Sequence, residues 1–143
     1  MDYQLKVPEA LHKRVDRKYV TFIEDCKEEL ESVNKLNPGE YVGGFSKNQR
    51  SGQGMFKMDN GDLYKGSFKN DMRNGLGVCM FKSGALYKGD FKDDKPHGNG
   101  ILYSGKNEIV EGRFDKGYVP NGKIRIMFQD GSYYEGKLEN NKA

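Results

Sequence analysis

Two histidines and two cysteines are the side chains of this sequence on which reactive chemistry would ordinarily rest. His12 falls among charged residues and His97 in a glycine-flanked stretch. Neither has a serine, cysteine or carboxylate beside it in a spacing that builds a nucleophile and its base. Cys26 and Cys79 lie far apart, outside any Cys-x-x-Cys or Cys–His spacing. Buried thiols in a reducing compartment are therefore expected, not a disulfide or a metal site. The Gly-x-Gly pairs at Gly52/Gly54, Gly75/Gly77 and Gly98/Gly100 invite comparison with phosphate cradles. No Gly-Lys-Ser/Thr follows them, and what does follow reads as a strand instead of a helix N-terminus. The acidic residues fall mostly in turns, without calcium-loop spacing. The expectation is no enzyme, no cofactor and no metal.

The glycines belong to a different pattern. Tyr41, Gly43, Phe45, Gly52, Gly54 and Gly61 are repeated as Tyr64, Gly66, Phe68, Gly75, Gly77 and Gly84. A third pass gives Tyr87, Gly89, Phe91, Gly98 and Gly100, with Asn107 where the last glycine would stand. Such a fixed period marks a repeat architecture. Within Tyr-x-Gly-x-Phe, side chains two apart share one face of a strand, so Tyr41/Phe45, Tyr64/Phe68 and Tyr87/Phe91 line the same side. Lys65, Ser67, Lys88 and Asp90 face away. A glycine between two aromatics leaves a slot for a ring from the neighbouring strand, at Gly43, Gly66, Gly89, Gly112 and Gly136. Asp59-Asn60-Gly61, Ser83-Gly84 and Asp130-Gly131 carry hairpin-turn chemistry. Each unit thus reads as strand, loop, strand and turn, and successive units pair into one antiparallel meander with nearest-neighbour contacts.

The first forty residues have another period. From Pro8 to Leu36, Leu11, Val15, Tyr19, Phe22, Cys26, Leu30 and Val33 recur at steps of three and four, one apolar stripe on one long helix. Pro8 suits its first turn, and Asn37-Pro38-Gly39 ends it. At about 28 residues and 1.5 Å rise, it would be about 40 Å long. Lys13, Arg14, Arg17 and Lys18 crowd its first half; Glu24, Asp25, Glu28, Glu29 and Glu31 crowd its second. Both blocks oppose the helix dipole. They read either as a solvated face or as the match of a partner with opposite polarity.

Composition suits a thin structure with two wetted faces: 35% hydrophobic, 31% charged and 19 glycines in 143 residues. Residues 1–40 carry 7 basic and 9 acidic side chains, and residues 41–143 carry 17 and 12. The positive charges are interleaved with negative ones, so nucleic acid is not an expected partner. No run approaches the roughly 20 apolar residues of a membrane span, and no leader is evident, so a cytoplasmic protein is expected.

Residues 41–143 resemble the MORN (membrane occupation and recognition nexus) repeat, with units at 41–63, 64–86, 87–109 and 110–133 and a partial unit at 134–143. The resemblance implies a mainly β fold: an elongated, curved, single-layer antiparallel sheet of successive β-hairpins with an aromatic groove along one face. Preceded by the amphipathic helix, it divides the chain at residue 40. Departures cluster late: Asn107 for glycine, Val110 for tyrosine, Ile124 for the second glycine after Gly122, and a loop at 115–121, containing Pro120, one residue longer.

The groove face should present Tyr41, Phe45, Phe56, Tyr64, Phe68, Phe81, Tyr87, Phe91, Phe114, Phe128 and Tyr134. Either these rings stack on one another as the sheet's own layer, or they stand as an exposed row that asks for a cover. Met55, Val78, Met80, Ile101, Tyr103 and Met127 fall on the opposite face. The helix is expected either to lay its stripe against one face and leave the other for a partner, or to reach out to another protein. The function expected is a non-catalytic scaffold subunit binding a helical or extended segment of another protein in the groove. The alternative is a membrane-surface adaptor, in which Lys57, Lys65, Lys69, Lys82, Lys88 and Lys92 meet anionic lipid at ~1 kcal/mol each. Asp62, Asp71, Asp90, Asp93 and Asp94 interrupt them. Open sheet edges leave self-association as a further expectation. Similar short MORN proteins suggest a cilium, axoneme or cytoskeleton setting.

Overall fold

The computed structural model describes the backbone over residues 9–105, 109–117, 122–127 and 133–138, and side chains over 18–105 and 109–117. Helix α1 spans Glu9–Glu29 and α2 spans Glu31–Asn34. The strands are β1 (Tyr41–Ser46), β2 (Gln49–Lys57), β3 (Leu63–Lys69), β4 (Met72–Met80), β5 (Leu86–Lys92), β6 (Lys95–Tyr103), β7 (Ile109–Phe114), β8 (Gly122–Met127) and β9 (Tyr133–Leu138). They form one antiparallel sheet in strict sequence order.

Two kinds of hairpin alternate. Lys47-Asn48, Asn70-Asp71 and Asp93-Asp94 each place two successive residues at positive φ, between 50° and 70°. That is the geometry of a two-residue turn whose twist matches the strands it joins. What reads in sequence as a loop is therefore only two residues, and β2 begins ahead of its Gly-x-Gly pair. Gly52, Gly75 and Gly98, at φ 75°, 97° and 99°, sit where the register shifts, the backbone condition a bulge imposes. Beyond each bulge the second glycines fall into line. Gly43, Gly54, Gly66, Gly77, Gly89, Gly100 and Gly112 pair one to the next across seven strands.

The helix is shorter than its stripe predicts. Its hydrogen bonds run on into α2, but Leu30 adopts φ −93° and ψ 0°, which divides the segment. α1 packs on β4 and β5, and α2 on β2 and β3. Because adjacent strands are rotated relative to one another, one straight helix would lift off one strand pair or the other. The break keeps both Leu30 and Val33 buried. Cys26, Leu30 and Val33 pack on Leu63, Val78 and Leu86, with Phe22, Ile23, Met55, Met80 and Tyr103 at the margin. Tyr19 joins Ile109, Ile101 and Tyr103. The stripe thus covers the face opposite the aromatics, a choice between the two faces that the sequence left open. Leu11 and Val15 lie outside the described side chains.

Two of the helix's charged residues pair with the sheet. Lys18 Nζ lies 2.9 Å from Glu111 Oε1, and the Tyr19 hydroxyl donates to the same carboxylate at 2.7 Å. Lys88 Nζ meets Glu29 Oε1 at 3.1 Å, and Lys57 Nζ donates to the Asn34 carbonyl at 3.0 Å. One member of each block, Lys18 and Glu29, thus has its partner of opposite sign in the same chain.

Both thiols are buried and unbridged: Cys26 on the sheet-facing side of α1, Cys79 in the aromatic layer. Burial pushes each up to about 12, and it pushes the Tyr64 and Tyr87 hydroxyls up as well. An unfolded thiol ionises near pH ~8.5. Above that value the unfolded chain releases protons that the folded chain keeps, so stability falls as pH rises toward the folded values. Below it both states are protonated and the contribution is constant. Urea midpoints are expected to stay level up to about pH 8.5 and to decline above it. Iodoacetamide at pH 8 should label neither thiol until denaturant is added.

Candidate interaction surface

Each repeat's tyrosine lies down over the glycine row. A methyl group at Gly54 would stand 2.5 Å from Tyr41 Cε1, and one at Gly77 would stand 2.5 Å from Tyr64 Cε1. The hydroxyl then reaches back to its own strand. Tyr41 donates to the Gly44 carbonyl and Tyr64 to the Ser67 carbonyl, both at 2.8 Å, and Tyr87 to the Asp90 carbonyl at 2.9 Å. The slots at Gly43, Gly66 and Gly89 are therefore filled by the same strand's tyrosine and by the neighbouring backbone, not by a neighbour's ring.

Held this way, each of these three tyrosines meets two phenylalanines at close range, and Tyr41 also meets Phe56 at 6.3 Å. Tyr41 contacts Phe45 and Phe68, Tyr64 contacts Phe68 and Phe91, and Tyr87 contacts Phe91 and Phe114. Centroids lie 5.0 to 5.2 Å apart with the rings 77° to 88° from parallel. This edge-to-face arrangement sets each ring's positive rim against its neighbour's negative face. One zigzag of seven rings thus ties three units to one another and to the start of the next. It reaches Phe114 from one side only, because Val110 replaces the next tyrosine.

Two arginines lock the same seams. Arg50 Nε lies 2.7 Å from Asp71 Oδ1, and its Nη2 donates to the Asp71 carbonyl at 2.8 Å. Arg73 repeats this on Asp94 at 3.2 and 2.7 Å. Their guanidinium groups sit over the next unit's ring, 5.3 Å from Phe68 and 5.2 Å from Phe91. The clasp is why Asp71 is held below the usual carboxylate range. In the third unit both members change together: Pro96 and Gly117 keep only the backbone bond, at 2.8 Å. Reading the sequence for aromatics and glycines missed this pair. Its signal was the 23-residue recurrence of Arg50/Arg73 and of Asp71/Asp94.

The predicted groove residues separate into two groups. Tyr64, Phe68, Tyr87, Phe91 and Phe114 are buried against one another and do not stand as an exposed row. A flat strip would expose them; recumbent tyrosines and the arginines over Phe68 and Phe91 do not. Tyr41, Phe56 and Phe81 are half-buried at the margin, with Met58, Leu102 and Val110. Phe45 alone is open, at 64%. Phe128 and the side chain of Tyr134 lie outside the described residues. On the opposite face the apolar positions end where the helix ends its cover. Beyond it lie Gln53, Ser67, Asp90, Asn99 and Arg113, together with an exposed Leu76. Two hollows of about 260 and 540 Å³ follow the helix flank there, the first beside Glu29, whose Oε2 is buried with no hydrogen-bond partner.

His97 has a carboxylate beside it after all: Nδ1 is 3.5 Å from Asp115 Oδ1, in an exposed pair. His12 lies outside the described side chains. Among the described residues no cluster of three metal-ligating side chains occurs, and no helix is long and apolar enough to cross a membrane.

The model of the MORN-repeat family matches residues 41–63, 64–86 and 87–107. The chain carries three consecutive MORN repeats. The matched units begin at Tyr41, Tyr64 and Tyr87, the three tyrosines that lie over the glycine row, so the MORN period and the aromatic zigzag are one feature. No curated protein matches the chain. MORN repeats point to an adaptor role, in protein–protein or membrane-lipid interaction.

Proposed function

We propose that this MORN-repeat chain is a non-catalytic adaptor that holds a partner polypeptide along its aromatic face and so helps to build a larger assembly. The observation that carries this reading is the unequal treatment of the two faces. α1 and α2 occupy the apolar half of one, whereas no helix residue joins the aromatic layer among the described residues. Along that layer the buried rings give a stiff floor, and Tyr41, Phe45, Phe56 and Phe81 keep apolar surface in water. Arg50 and Arg73 supply fixed donors beside them. A helical or extended segment with apolar anchors and carboxylates fits such a surface. A ciliary or cytoskeletal assembly is the setting this reading favours.

The lipid alternative has less support. Of the six lysines that would meet a membrane, Lys57 and Lys88 are turned to the helix segment. The test is affinity isolation with the full chain, Phe81→Glu and, as an opposite-face control, Leu76→Glu. Loss of the same co-purifying chains with Phe81→Glu alone is expected. Equal recovery with all three would overturn the reading, as would salt-sensitive flotation of the chain with anionic vesicles and no protein partner.

A further inference from the structure

We propose that β1 is a self-pairing edge, through which a second copy of this chain extends the sheet across a two-fold axis at Gly43. Among the described residues β1 pairs only with β2, so the outer side of its backbone meets no other described strand. An open edge is ordinarily blunted by charge or proline. Here the reverse holds. Strands β3 and β5 carry Lys65, Lys69, Lys88, Asp90 and Lys92, whereas the matching positions of β1 hold Val42, Gly44 and Ser46. All six residues of β1 are uncharged.

The exposed apolar groups of β1 point to an edge partner and not to a face partner. Val42 is 46% exposed on the helix side and Phe45 is 64% exposed on the aromatic side. The counterparts of Phe45 in position, Phe68 and Phe91, are 4% and 3% exposed because each takes a second tyrosine from the unit before. A ligand on one face would cover only one of the two side chains; an added strand flanks both.

Self-pairing is favoured by register. In an antiparallel pair, opposed residues must share a face. Setting Gly43 against Gly43 of a second copy does this, and it continues the glycine row across the junction. The same register sets Tyr41 of each copy opposite Phe45 of the other, giving Phe45 the second tyrosine that it lacks. A two-fold contact is self-complementary and closes at the dimer. Asn48 stands where Asp71 and Asp94 receive an arginine, so this edge is not made to accept a preceding repeat of the interior type.

Equilibrium sedimentation of the full chain, separate from any partner-capture assay, tests this. A concentration-dependent dimer is expected. Val42→Lys with Ser46→Lys, which only restores what β3 and β5 already carry, should weaken it at least tenfold while circular dichroism is unchanged. A register readout comes from mixing a Glu40→Cys variant with a Ser46→Cys variant under mild oxidation. The mixed pair should cross-link, and neither variant with itself. A monomer at all concentrations, a dimer indifferent to the two lysines, or open-ended polymers would overturn the proposal.

Discussion

Replacing Tyr64 with alanine is expected to destabilise the chain by about 3–5 kcal/mol, the range for truncating a buried aromatic. The side chain is fully buried, its hydroxyl donates to the Ser67 carbonyl at 2.8 Å, and its ring is shared between Phe68 and Phe91. Three losses coincide: buried area, two ring pairs at roughly 0.5–1.5 kcal/mol each beyond their area, and a carbonyl left without its donor. They overlap, so they do not simply add. Tyr64→Phe keeps the ring and removes only the hydroxyl bond, and should cost about 1 kcal/mol. Urea unfolding followed by circular dichroism separates the two. Because contacts in a repeat sheet run only to neighbouring units, Tyr64→Ala should also broaden the transition, the two sides of the seam unfolding less cooperatively. If both substitutions cost the same, the ring zigzag contributes little and the hydroxyl bond dominates.

Gly66→Ala is expected to cost about 3 kcal/mol, the upper part of the overpacking range. An added methyl group would stand 2.5 Å from Gly77 Cα and from the Leu76 carbonyl oxygen. Both are backbone, in the hydrogen-bonded strand next door, so no side chain can swing aside. The strands must part, and Tyr64 must rise off the row. Gly84→Ala is the instructive contrast. That glycine sits at φ 97° with nothing within 4 Å of an added methyl group, so its replacement should cost only about 1 kcal/mol of backbone strain. Differential scanning calorimetry on both variants distinguishes close approach from positive φ. Equal losses would mean that the glycine row is not sterically closed.

Much of this was written in the period. Tyr41, Tyr64 and Tyr87 mark the unit starts, parity assigns them to one face with Phe45, Phe68 and Phe91, and the turn glycines bound the hairpins. The helix stripe was equally plain at its Tyr19, Phe22, Cys26, Leu30 and Val33 positions. These are local properties: a side chain's face depends on its own strand or helix geometry, which the order of residue types expresses directly.

Other features were settled only where strands meet. Parity could say that Tyr64 and Phe91 share a face, but not that a tyrosine lies flat and thereby hides both rings, since that depends on the backbone two strands away. The clasp of Arg73 on Asp94 joins residues that touch only after β4 and β5 are in register. The break at Leu30 follows from the rotation between strand pairs, a quantity no single segment contains. The order of residue types thus determined the unit and its faces. Tertiary structure decided which of those faces remains available to another molecule, because exposure is a relation between units and not a property of one.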